Sequence, residues 1–233
     1  MKKESEKNLK KKRKWPWILL SIFLILAILI AILVKWQWNN IMAVHYATSY
    51  SEEELLKMQE ENDQIIEELG NQLSNVDFSA LPEEARELLQ KGELPEEAAV
   101  AVLTGQVSWE EYKAGQSVPA DVTTYSPGYT DDIIAQIYVL RSSYVGKLDS
   151  LVSQAWGEYR SGSISKTDLI SKYVGIGYGL EAECDGKMEA LLSQLSDALS
   201  YQGEDMSVVE TIRRTYQSEK SIKKAEMIAK YQR

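Results

Sequence analysis

The most uneven feature of the 233-residue chain is the run from Ile18 to Val34, in which Ser21 is the only polar side chain. Tryptophans bracket it, Trp15 and Trp17 before and Trp36 and Trp38 after. The 21 steps from Trp15 to Trp36 would measure about 31 Å as a helix at ~1.5 Å per residue. That matches a hydrocarbon core of ~30 Å with an indole seated in each interface. The pattern predicts a transmembrane helix over residues 18–35, closed by Lys35. A cleaved signal peptide fits less well, because such apolar cores run ~7–15 residues and end in small residues. Here the run is longer and ends in Lys35-Trp36-Gln37-Trp38.

Past the anchor, apolar positions recur at the three/four spacing of helices, and no strand pattern survives. Ser51-Glu52-Glu53-Glu54 reads as a capping box opening an amphipathic helix within 46–70. Its stripe is Leu55, Met58, Asn62, Ile65 and Leu69, with Gly70 as the expected stop. This helix is expected to fold back onto its own bundle. Pairing of two copies through residues 51–70 is the alternative, since an Asn at a seam position can set register in a coiled coil.

Three segments share one local signature: Gly92-Glu93-Leu94-Pro95, Gly105-Gln106-Val107-Ser108 and Gly162-Ser163-Ile164-Ser165, each followed closely by acids. Glycine ends one helix in the left-handed conformation, the aliphatic packs back, and Ser or Pro starts the next helix. Each is a helix–turn–helix corner. The first two join short helices near 82–91, 95–103 and 108–114, giving a subdomain at 79–115. Residues 116–129, interrupted by Pro119, Pro127 and Gly128, read as a linker loop. The third corner joins two long stripes, Ile133 to Tyr159 and Ile170 to Ala198. A weaker third stripe runs over about 204–230. Short connections make neighbours antiparallel, so residues 130–233 are expected to form an antiparallel three-helix bundle or coiled coil. The fold class is therefore all-α, a single transmembrane helix followed by a helical domain.

Charge sets the orientation. Through Lys35 there are nine basic and two acidic residues; the remainder has 17 basic and 33 acidic. The basic tail, residues 1–17, should stay cytoplasmic, which places the acidic helical domain on the extracytoplasmic side of the cell membrane. The expected partners are the lipid bilayer and an unidentified protein. The basic tail beside an anchor is read as a topology signal, with no nucleic acid as partner.

Candidate chemistry is sparse. One His, His45, and one Cys, Cys184, are too few for the usual convergent catalytic or metal sites, so no enzyme activity, metal or cofactor is expected. Gly175, Gly177 and Gly179 alternate inside a long helix with no strand before them, which excludes a phosphate-cradling loop. Folding the hairpin about Gly162 sets Gly146 against Gly179, where a thin waist bordered by Tyr144, Tyr173 and Tyr178 and including Gly177 could admit a small ligand. Glu181, Asp185 and Glu189 stack on one helix face, where like charges repel. Folding the next turn brings Glu181 to Lys224 and Asp185 to Lys220, so ion pairs are expected there. The leading function is a non-catalytic structural or interaction module on a membrane anchor. The alternative is a small-ligand-sensing module signalling through a partner membrane protein.

Overall fold

The computed structural model describes residues 38–115 and 129–231, and these are all helical, with no strand among them. In chain order the helices are α1 (Trp38–Ser49), α2 (Glu52–Leu73), a 3-10 turn at Phe78–Ala80, α3 (Glu83–Lys91), α4 (Glu96–Leu103), α5 (Trp109–Lys113), α6 (Tyr129–Arg160), α7 (Lys166–Gln202) and α8 (Ser207–Tyr231). No helix among the described residues is long and apolar enough to cross a membrane. The expected anchor, with Trp15, Trp17, Lys35 and Trp36, lies outside the described residues. Trp38 opens α1, but its side chain is outside them too.

The helix starts follow their caps. At α2, Ser51 Oγ accepts from the Glu54 amide at 3.3 Å and the Glu54 carboxylate accepts from the Ser51 amide at 2.8 Å. This box divides the helix expected over 46–70, so residues 46–49 belong to α1. Gly70 does not end α2, which runs to Leu73 and closes where the Ser74 amide and hydroxyl both donate to Gly70 O. A methyl at Gly70 would lie 2.5 Å from the Phe78 ring, so the glycine serves close packing. The three corners turn as the sequence signature implies, with Gly92, Gly105 and Gly162 at φ of 74, 71 and 71°.

Packing revises the domain plan. The expected subdomain at 79–115 shares one continuous core with the long helices. Every residue of α4 from Ala98 to Leu103 is buried, and α3 and α4 both pack on α6. Nor is 130–233 a self-contained three-helix bundle. Val209, Ile212 and Tyr216 of α8 join the main core, whereas Ile222 and Ala225 pack with Leu55 of α2, flanked by Tyr46 and Ala47 of α1. The helix α8 leans chiefly on α1 and α2. No local pattern encodes that long-range pairing. It also covers part of the α2 stripe proposed as a seam: Leu55 is fully buried and Asn62 Nδ2 donates to Ser218 at 3.3 Å, whereas Ile65 is exposed.

The far half of the α6–α7 hairpin stands apart. After Leu148 on α6 and before Cys184 on α7, no described side chain is fully buried. Tyr159, Val174, Ile176 and Tyr178 are exposed there.

Candidate functional site

A charged seam runs between α7 and α8. Lys220 Nζ donates to both oxygens of Asp185 at 2.6 and 2.7 Å and lies 2.9 Å from Glu181. Lys224 Nζ donates to Glu181 at 2.8 Å and to Asn40 Oδ1 of α1 at 2.9 Å. The hydroxyl of Tyr216 donates to Asp185 at 2.8 Å. Glu189, third in the acidic row, is held by Arg213 at 3.0 Å. The turn between α7 and α8 therefore brings together the residues that the sequence places together, and adds Asn40, Tyr216 and Arg213. One feature differs: the Lys220 side chain is only 2% exposed, while Asp185 stays open to solvent, so the contact runs from the interior to the surface. Burial pushes the Glu181 carboxyl up, but the hydrogen bonds from Lys224 and Lys220 outweigh it and hold the group below its ordinary value.

A second buried charge, Arg141, escapes sequence reasoning. It sits on α6 with its guanidinium forked onto Glu219 of α8 and donating to Asp63 of α2 at 2.8 Å. The two carboxylates overcome the cost of burial and raise its affinity for the proton. The available signal was its position as the only charged residue between Asp132 and Lys147. Glu96 makes a smaller cluster, accepting from Ser143 at 2.7 Å and Lys147 at 3.0 Å. Burial opposes its ionisation, yet these donors keep its pKa lowered.

The glycine/tyrosine waist does not form. Gly146 lies at about the right level along the hairpin but on another face of α6, pressed against α3. A methyl there would come within 2.0 Å of Gln90 O. A methyl at Gly179 would meet nothing within 4 Å, one at Gly177 would meet only Leu151 at 3.8 Å, and Tyr178 is 55% exposed. Tyr173 is half-buried under Lys172, whereas Tyr144 is buried in the core. Turn position fixes the level at which residues meet; it does not fix the face of the helix, and that is where the waist expectation failed.

The remaining chemistry is limited. Burial pushes the Cys184 thiol up to about 11, so it is a protonated core side chain at neutral pH. His45 sits on the exposed part of α1 among Tyr46 and Tyr50. Among the described residues, no group of three or more His, Cys, Asp or Glu is placed to hold a metal ion. Two concavities open on the surface. A polar cleft of about 390 Å³ between α2, α3, α6 and α8 has Arg141 in its lining, with Asp63 and Glu67 alongside. A groove of about 450 Å³ between α4, α6 and α7 is floored by Val100, Val139, Leu140 and Leu191. Comparison with family models, curated proteins and solved structures returned no match to this chain.

Proposed function

We propose that the chain is a single-pass membrane protein, amino terminus cytoplasmic, that presents an acidic helical bundle outside the membrane as a non-catalytic structural or interaction module. The observation that carries this reading is the docking of α1, which follows directly on the apolar, tryptophan-bracketed run. Ala43 of α1 is 1% exposed and Asn40 accepts from Lys224. An anchor continuing into α1 would thus be rigidly joined to the bundle, as suits a part that holds a protein partner at a fixed distance from the bilayer. The basic tail and acidic remainder give the direction of insertion.

The test is accessibility of single cysteines placed at Lys3 and at Glu204 in the full-length protein on intact cells stripped of any wall. A membrane-impermeant maleimide should label position 204 at once and position 3 only after the membrane is opened. The buried native Cys184 should stay silent. Labelling of position 3 on intact cells, or recovery of the protein free of the membrane fraction, would refute the proposal.

A further inference from the structure

We infer that the groove between α4, α6 and α7 is a binding site for a neutral carbonyl compound with an apolar body, its oxygen accepting a hydrogen bond from Tyr144. The inference depends on the bundle alone and is independent of membrane anchoring. The groove's volume of about 450 Å³ lies within the range of sites for small organic ligands, ~300–1,000 Å³. Its floor is aliphatic, from Val100, Val139, Leu140 and Leu191, while its edge carries Glu96, Glu97 and Lys187 beside Gln136, Ala190 and Gln194. Next to it, sharing Leu140 and Lys187 as lining, is a second cavity of about 10 Å³ bordered by Tyr144 and Cys184. That is the room of a single oxygen-sized atom.

Tyr144 supplies the independent observation. The residue is 4% exposed, and its hydroxyl is buried with no hydrogen-bond partner. A buried hydroxyl left unpaired costs free energy that a ligand acceptor would recover. Its free role is as a donor, because burial and the nearby Glu181 keep the phenol protonated. The edge chemistry selects against a charged head group. Lys187 is already paired with Glu183 at 3.0 Å and Lys147 with Glu96 at 3.0 Å, so neither is free for an anion. A cationic head would find Glu97 at the edge but would bring a donor where Tyr144 needs an acceptor, so the discrimination against it lies with the hydroxyl. A neutral amide, ester or ketone answers both conditions.

The experiment uses the full chain purified in mild detergent, with protein-free detergent as the partition control. The probes are 4-(4-biphenylyl)butanamide, the corresponding butanoate and the corresponding butylamine, measured by equilibrium dialysis. The amide should bind saturably with one site per chain and at least tenfold tighter than either charged analogue. Ala190→Trp, an exposed position filling the groove, should weaken amide binding at least tenfold, and Gln194→Trp should do the same. Tyr144→Phe keeps the shape of the core and should erase most of the preference for the amide while leaving the protein folded by circular dichroism. Amide binding unchanged in both tryptophan variants would overturn the site. So would a preference for a charged probe, no saturable binding of any probe, or an amide preference that survives Tyr144→Phe. None of these results bears on the cysteine-labelling test of topology, so the two proposals fail separately.

Discussion

Removing the guanidinium of Arg141 would leave Glu219, whose side chain is 13% exposed, charged and unpaired inside the bundle. Breaking one side of a buried pair typically costs ~3–5 kcal/mol, so Arg141→Met should lower stability by about that amount in urea denaturation. Arg141→Lys should restore only part of it, because an ammonium cannot make the forked contact. The Glu181 carboxyl adds a dependence on pH. Its folded-state value lies below the ordinary 4.5, so its contribution is complete above that pH and is lost as pH falls through the lowered value. The melting temperature should therefore fall more steeply below pH 4.5 in the parent protein than in Glu181→Gln. Equal slopes would mean that the lysines do not hold this carboxylate in solution. At this scale the pairing of Glu181, Asp185, Lys220 and Lys224 was legible because a short turn fixes level. The burial of Lys220 was not, since level along a hairpin does not say how deeply a side chain sits between Glu181, Asp185 and the Tyr216 ring.

Helices α6 and α7 show how one residue type takes opposite roles at different points of an element. The backbone of α3 lies against Gly146, so Gly146→Ala must push two helices apart and should cost several kcal/mol, in the manner of an overpacked core. Gly175 and Gly179 lie in α7, where a methyl at either would meet nothing within 4 Å. Their replacement by alanine should stabilise by roughly 0.5–1 kcal/mol each, since helical glycine is entropically costly. Thermal melts of the three single variants would check the contrast; stabilisation by Gly146→Ala would contradict the α3–α6 contact. The corners at Gly92, Gly105 and Gly162 were legible because all their determinants lie within a few residues. The fit of Gly146 was not, because its partner Gln90 lies on another helix and leaves no mark in the periodicity of α6.

For the whole molecule, α8 packs chiefly on both early helices, so residues 130–233 by themselves should not hold it in place. A fragment of those residues lacks Leu55, Tyr46 and Ala47, which cover Ile222 and Ala225 in the complete protein. Hydrogen exchange should show the α8 amides around 220–228 unprotected in the fragment and protected in the full chain. The α7 amides around 188–199, in the main core, should differ less. Protection of 220–228 in the fragment would mean that α8 needs only α6 and α7. All-helical class and most helix positions were readable from spacing and caps, but α1 was not, its first eight residues falling outside the helix expected over 46–70; which helices meet was not readable either, except across the two short turns.

The bond between Asn40 and Lys224 joins residues 184 positions apart. A ribosome releases α1 first and α8 last among the described helices, so the first element made waits for the final one before its apolar side is covered. Closing so long a loop adds only slowly growing entropy with length, but the wait itself is long: at ~5–20 residues per second it amounts to roughly ten to forty seconds. During that interval the cluster that Tyr46 and Ala47 form with Leu55 lacks Ile222 and Ala225, and any premature stop before α8 yields a chain that cannot complete its fold. Completion of the bundle thereby waits on synthesis of α8, and products truncated before it should be recognisable to quality control by an incompletely covered α1.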